Sequence, residues 1–119
     1  MIRILSLVLA LGAAPALASE AKVVGVEVEK AGEGRYRFSV TLSHPDTGWD
    51  HYADAWHVEA LDGTRLGTRE LAHPHVDEQP FTRSATIEIP VGTTHVRVRA
   101  QDKVHGPSRD AERVELPTE

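Results

Sequence analysis

The chain has 119 residues, with 13 basic and 18 acidic side chains and a formal net charge of −5 when histidine is neutral. Nucleic-acid-binding proteins concentrate Lys and Arg on one surface, so this acidic balance disfavours nucleic acid and an anionic membrane surface as partners. The chain has no cysteine. This excludes disulfides, thiol nucleophiles, iron–sulfur clusters and cysteine zinc sites, and the fold must be held by its core alone.

The first eighteen residues have the pattern of a signal peptide. Arg3 supplies a short positive segment, ILSLVLALGAAPAL is the apolar core, and the triplet at 16–18 has the small-x-small form of a cleavage site. A membrane-spanning helix needs about 20 apolar residues, and no lipobox cysteine is present. We therefore predict a cleaved signal peptide over residues 1–18 and one domain over 19–119. The product is expected in the periplasm or outside the cell, with no stable membrane insertion after cleavage.

Short stretches in which apolar and polar residues alternate follow the signal, and this period of two is typical of half-buried β-strands. The clearest is RYRFSVTLS, where Tyr36, Phe38, Val40 and Leu42 fall on one face. In chain order, the seven predicted strands cover residues 24–28, 35–43, 56–60, 64–71, 85–89, 94–100 and 114–116.

Turn residues separate these stretches, as in Gly32-Glu33-Gly34 and the Asp62-Gly63 pair. Gly67 interrupts the fourth strand where its alternation changes parity, which indicates a β-bulge. Outside the signal, no segment keeps a helical period over ten residues. Seven short strands in about 100 residues predict an all-β fold, a seven-stranded antiparallel β-sandwich.

One stretch carries a family resemblance. HVRVRAQDKVHGPS, residues 95–108, resembles the sixth strand and following loop of fibronectin type III domains, which often read V-x-V-x-A, then a polar pair and a glycine-containing loop. The resemblance implies a fibronectin type III or immunoglobulin-like sandwich. The whole chain also resembles small exported bacterial proteins of unassigned function, and that resemblance implies no catalytic residues.

Most of the histidines are predicted to converge. Successive strands of an antiparallel sandwich run in opposite directions, so alternate loops lie at the same end. The loops at about 44–54, 72–83 and 102–110 should therefore meet. Together with the start of the third strand they hold six of the seven histidines. These are His44, His51, His57, His73, His75 and His105.

Imidazole and carboxylate groups together suit Zn(II) or Cu(II). In the sharpest local pattern, His73-Pro74-His75, the extended spacing puts both rings on one side. The leading hypothesis is an exported, non-enzymatic binding module with a His/Asp-rich loop site for a divalent transition metal. The predicted ligands are His51, His57, His73, His75, His105 and Asp50.

Other interpretations stay open. The loop histidines are also consistent with three other roles: solvated side chains, local hydrogen-bond partners, or a pH sensor. An interaction domain could contact a protein or a glycan through Trp49, Tyr52 and Asp54, with no metal. A metal-assisted hydrolase, with Asp50 or Asp54 as general base, is the third option. No serine lies in a nucleophile-elbow motif.

Overall fold

The computed structural model describes residues 20–119, so the predicted signal peptide lies outside the described residues. No helix with the length and hydropathy needed to cross a membrane occurs in this part of the chain. Its regular elements are eight β-strands. They are β1 (Lys22–Gly32), β2 (Arg35–Ser43), β3 (Ala53–Glu59), β4 (Arg65–Glu70), β5 (Phe81–Glu88), β6 (His95–Asp102), β7 (Gly106–Pro107) and β8 (Glu112–Glu115).

The strands form two antiparallel sheets. One has the order β1-β2-β5, and the other has the order β4-β3-β6-β7 with β8 also paired to β6. The predicted all-β, antiparallel fold is thereby confirmed. The described chain has eight strands rather than seven because Gly106 and Pro107 pair with the end of β6. A strand of two residues has no alternation that a sequence pattern can detect.

The core lies between the two sheets and follows the alternation in the sequence. Phe38, Val40 and Leu42 of β2 are fully buried. Across the core they face the apolar side of the second sheet, where Trp56 and Val58 of β3 are also fully buried. Burying an apolar side chain of this size contributes about 1.5–3 kcal/mol, so these two inward stripes hold the sheets together in a chain without disulfides.

Strand β3 is buried on both faces. Opposite Trp56, its outer face carries His57 and Glu59, which are only 4% and 6% exposed. The Nε2–H of His57 donates to Glu59 Oε1 at 2.7 Å. Arg99 on β6 donates to both carboxylate oxygens, at 2.9 and 3.2 Å. Arg99 also donates to the carbonyls of Ser108 and Arg109. We call the contacts among His57, Glu59 and Arg99 the Glu59 brace. They connect β3 to the loop that follows β7.

Burial lowers the pKa of His57, and this effect outweighs the hydrogen bond to Glu59. The ring therefore donates to Glu59 as a neutral imidazole. The pKa of Glu59 falls to about 2, chiefly because of the hydrogen bonds from Arg99 and against the opposing effect of burial. The Glu59 brace is thus an ion pair with a neutral histidine attached.

The bulge predicted at Gly67 lies beside that residue. Val58 pairs with Gly67 while Glu59 pairs with Arg65, so Leu66 is the extra residue of β4. A Cβ added at Gly67 would lie 2.7 and 2.8 Å from Cγ2 and Cδ1 of Ile87 on β5. The glycine therefore lets β4 approach the first sheet.

We expect Gly67→Ala to lower the free energy of unfolding by about 1–3 kcal/mol, the usual cost of overpacking. Urea unfolding measures this effect. In an Ile87→Ala background the overlapping atoms are gone, so the same substitution should then cost much less. An equal cost in both backgrounds would show that contact with Ile87 is not the cause.

Candidate metal centre

Three side chains from separate parts of the chain converge at one end of the sandwich. His44 directly follows β2, His51 lies in the loop before β3, and Asp102 is the last residue of β6. Nε2 of His44 lies 3.1 Å from Nε2 of His51. Nε2 of His51 lies 3.3 Å from Oδ1 of Asp102, and Nε2 of His44 lies 4.0 Å from Oδ2 of Asp102. Each residue can offer one ligand atom, with all three atoms inside 4.8 Å of one another.

His44 and Asp102 lie at the ends of the inward-facing residue series of β2 and β6. His44 continues the inward series of Phe38, Val40 and Leu42 on β2, and its exposed fraction is 2%. Asp102 continues the corresponding series on β6 and is 1% exposed. Because side chains alternate along a strand, the residue two positions after the last apolar residue of each series also points between the sheets. Two polar groups therefore cap the core from opposite sheets.

A tight turn brings His51 over His44. The backbone N–H of His51 donates to the carbonyl of Gly48 at 3.2 Å, and Thr47 N–H donates to the carbonyl of His51 at 3.0 Å. The rings of His44 and His51 meet edge to face, with centroids 4.6 Å apart. The loop residues near Pro45 and Gly48 return the chain onto His44.

Hydrogen bonds surround the carboxylate of Asp102. Its Oδ1 accepts the backbone N–H groups of Val104 and His105, at 2.9 and 2.7 Å. His105 Nδ1–H also donates to it, at 3.0 Å. Burial raises the pKa of Asp102, but the hydrogen bonds from His105 and Val104 outweigh it and leave the pKa below its ordinary value. The site therefore carries a buried carboxylate near neutral pH.

A second carboxylate lies behind His44. Asp46 Oδ1 contacts His44 Nδ1 at 2.5 Å and accepts the backbone N–H of Ala53 at 3.0 Å. Asp46 Oδ2 accepts the backbone N–H of His75 at 2.7 Å. The side chains of His44 and Asp46 are fully buried. The two ring nitrogens of His44 thus face different groups, Asp46 at Nδ1 and the three-residue cluster at Nε2.

The geometry suits a small cation. Bonds of about 2.0–2.1 Å from a tetrahedral zinc ion hold neighbouring ligand atoms about 3.3 Å apart. The distances from His51 Nε2 to His44 Nε2 and to Asp102 Oδ1, 3.1 and 3.3 Å, are close to this value, and the distance from His44 Nε2 to Asp102 Oδ2 is longer, at 4.0 Å. The side chain of His51 is 22% exposed while those of His44 and Asp102 are fully buried. Solvent therefore reaches the cluster from the His51 side.

Of the predicted ligands, the structure brings two to this cluster. His51 is a member, and the ring of His105 lies 5.3 Å from the His51 ring and against Asp102. His57 lies in the Glu59 brace on the outer face of the second sheet. Asp50 is exposed in the turn before His51.

The other predicted pair, His73 and His75, forms a separate stack. Their ring centroids are 4.7 Å apart, and the ring of His75 stacks on Phe81 at 3.8 Å. Nε2 of His75 accepts a hydrogen bond from Arg83 Nη2 at 2.8 Å. Burial lowers the pKa of His75, and the charge of Arg83 lowers it further. The described side chain of His75 is therefore packed in its own cluster.

Of the residues predicted to contact a ligand, Trp49 and Tyr52 lie in the loop that carries His51, and Asp54 lies in β3. Trp49 is 61% exposed, and its ring meets that of Tyr52 edge to face at 5.7 Å. Lys103 Nζ donates to the carbonyl of Trp49 at 3.0 Å. Asp54 on β3 instead accepts a hydrogen bond from Gln101 on the neighbouring strand β6 at 3.1 Å.

Sequence reasoning placed His44 and Asp102 in the converging loops but did not select them as ligands. The signal that identifies them is parity. Each residue stands two positions beyond the last apolar residue of an inward stripe, Leu42 on β2 and Ala100 on β6. A polar residue in that position is buried with the core and needs a partner.

No known protein-family profile matches the sequence. The chain is 58% identical over 87 residues to a protein of Halomicrobium mukohataei described as "Putative lipoprotein". The match covers 73% of this chain and 43% of the relative, so the chain spans less than half of that protein's length. Among solved structures, a superoxide reductase (1Fe-SOR) from Giardia intestinalis aligns with a TM-score of 0.45 and 15% identity, over 76% of this chain and 95% of that one. What the His44, His51 and Asp102 cluster can bind is therefore argued from its geometry alone.

Proposed function

We propose that this chain is an exported, non-enzymatic metal-binding module in which His44, His51 and Asp102 bind one divalent transition-metal ion. The observation that carries the proposal is the convergence of two imidazole nitrogens and the Asp102 carboxylate group, at distances of 3.1–4.0 Å, in a largely buried cluster. Histidine side chains that are simply solvated at the surface are not expected to converge at these distances.

The proton count within the cluster supports a cation. When both imidazoles are neutral and His44 Nδ1–H is directed at Asp46, the only N–H left between the three converging atoms is that of His51 Nε2. That one proton cannot be donated fully to both His44 Nε2 and the carboxylate of Asp102, whose Oδ1 already accepts N–H groups from Val104 and His105. A metal ion accepts electron pairs from both nitrogens and the carboxylate at once. Metal ligands must be deprotonated to bind, and these three groups can meet that requirement.

Two nitrogens and one oxygen form a borderline-to-hard donor set that suits Zn(II) or Cu(II), and a two-histidine, one-carboxylate set with open positions also suits Fe(II). His105 stays in the proposal as a further ligand because its ring lies beside His51 and Asp102. His57, His73, His75 and Asp50 were also predicted as ligands. The three histidines make their contacts in other clusters and Asp50 is exposed, so the proposal does not include them.

The finer fold assignment and the compartment belong to the same proposal. The sheet order β1-β2-β5 opposite β4-β3-β6 with β8 supports a fibronectin type III or immunoglobulin-like sandwich, which divides its strands between two sheets in a similar way. Export to the periplasm or the exterior is supported by the signal-peptide pattern of residues 1–18. The description of the relative as "Putative lipoprotein" agrees with export.

Isothermal titration of the exported protein with Zn(II), Cu(II) and, without oxygen, Fe(II) tests the proposal. We expect one ion per chain, and we expect His51→Ala to weaken binding by more than about 100-fold, since even residues behind the ligands cost 10–100-fold. The His73→Ala variant is the matched control, because it removes an exposed imidazole outside the cluster, and it should bind as the wild type does. Equal affinity in the wild type and His51→Ala, or loss of binding in the control, would reject this centre.

The exposure of Trp49 favours a second candidate. A tryptophan that is 61% exposed beside Tyr52 suits a platform for a protein or glycan partner. Under this alternative Trp49→Ala would remove partner binding while His51→Ala would leave it intact, and no metal would be needed.

A further inference from the structure

We propose that Asp46 is a positioning residue of the metal centre: it holds the His44 ring in the Nδ1–H tautomer and thereby directs the Nε2 lone pair at the metal. The effect on metal affinity rests on the proposed function of His44. The tautomer itself is a property of the metal-free protein and can be measured separately.

The contacts of Asp46 determine the direction of the hydrogen bond. Two backbone N–H groups, those of Ala53 and His75, already donate to its two oxygens at 3.0 and 2.7 Å. A carboxylate accepts and does not donate. The short contact between Asp46 Oδ1 and His44 Nδ1, at 2.5 Å, therefore requires the proton on His44 Nδ1.

A neutral imidazole has one N–H and one lone pair, so a proton on Nδ1 leaves the lone pair on Nε2. That nitrogen faces His51 at 3.1 Å. The Asp46 contact also fixes the rotation of the ring, and an acceptor on the far nitrogen makes the imidazole a better electron-pair donor to a metal. Asp46 thus sets the tautomer, the orientation and the donor strength of the His44 ring, although Asp46 is not itself a metal ligand.

A distant segment holds Asp46 in place. His75 donates its backbone N–H to Asp46 from 29 residues further along the chain. Gln79 adds two contacts: its Oε1 accepts the backbone N–H of His44 at 3.0 Å, and its Nε2–H donates to the carbonyl of His75 at 2.9 Å. The segment between β4 and β5 therefore serves the centre through its backbone and Gln79, whereas the imidazole of His75 packs on Phe81.

Nitrogen-15 NMR of histidine-labelled, metal-free protein at about pH 8, above the ordinary histidine pKa of about 6.5, tests the tautomer. We expect protonated Nδ1 and unprotonated Nε2 at His44 in the wild type. Asp46→Ala should shift His44 towards the Nε2–H form and weaken Zn(II) binding by about 10–100-fold. Asp46→Asn retains an oxygen acceptor, so we expect it to keep the Nδ1–H form and to bind more tightly than Asp46→Ala. Exposed Asp77→Asn is the control and should change neither readout.

The outcomes separate this proposal from the one before it. An Nε2–H tautomer at His44 in the wild type, or an unchanged tautomer in Asp46→Ala, would overturn the positioning role even if metal binds. The predicted tautomers without any metal binding would reject the metal centre and leave the control of His44 by Asp46 standing. If Asp46→Ala does not fold, the wild-type tautomer and the Asp46→Asn variant still decide the matter.

Discussion

Replacing Asp102 with Asn should weaken Zn(II) binding by at least about 100-fold, because it removes the negative ligand of the proposed centre and substitutions behind the ligands alone cost 10–100-fold. The amide oxygen of Asn can still accept the backbone N–H groups of Val104 and His105, which now donate to Asp102 Oδ1. The turn after β6 should therefore survive and the metal-free variant should fold, with a loss of stability because the folded state favours the charged form of Asp102.

Thermal unfolding with and without Zn(II) gives the clearest measurement. At a free zinc concentration of 100 times the dissociation constant, a ligand that binds only the folded protein stabilises it by about 2.7 kcal/mol. The wild type should show this increase and Asp102→Asn should show little of it. Asp50→Asn, the same chemical change at an exposed residue that the sequence also suggested as a ligand, should behave as the wild type. A full zinc-dependent increase in Asp102→Asn would remove Asp102 from the centre.

Replacing Glu59 with Gln should lower the free energy of unfolding by about 3 kcal/mol at pH 7. The hydrogen bonds from Arg99 bring the pKa of Glu59 from 4.5 to about 2, and lowering a pKa by one corresponds to about 1.4 kcal/mol of preference for the charged form. The side chain of Glu59 is 8% exposed, so solvent screens this interaction little. The loss arises because the variant leaves the charge of Arg99 without its partner.

The pH dependence has a definite sign. The folded state lowers the pKa of Glu59, so below pH 4.5 the unfolded chain takes up a proton that the folded chain does not. The stabilisation is therefore complete above about pH 5 and is lost as the pH falls towards 2. Urea unfolding of the wild type and Glu59→Gln across this range should show two stability curves that converge. Exposed Glu27→Gln should lie within about 0.5 kcal/mol of the wild type. A constant difference at every pH would show that packing, not charge, is responsible.

The strands and the core were predictable because both depend on local order. Alternation on β2 correctly identified Phe38, Val40 and Leu42 as buried, and Trp56 shares the inward parity of Val58. The bulge beside Gly67 was also visible, as a change of parity within one strand. The short β7 was not, since two residues carry no period.

The candidate centre was predictable in its location and only partly in its members. Antiparallel topology brings the loops after β2 and β6 to one end, and this correctly grouped His51 with His105 and Asp102. The same rule grouped His73 and His75 with them, although the ring of His75 packs on Phe81. Loop position predicts that residues are neighbours within one end of the sandwich, but it does not predict the direction of each side chain.

The amino-acid sequence by itself determined an all-β chain, the inward side of the clearest strands and the end at which most of the histidines gather, because alternation and chain reversal are properties of short segments. Only the tertiary structure decided that His44 from one sheet and Asp102 from the other meet His51 at ligand distance. That contact depends on how two twisted sheets pack, and on Asp46 and the distant backbone of His75 that orient His44. These are long-range relations, and no local pattern in the chain records them.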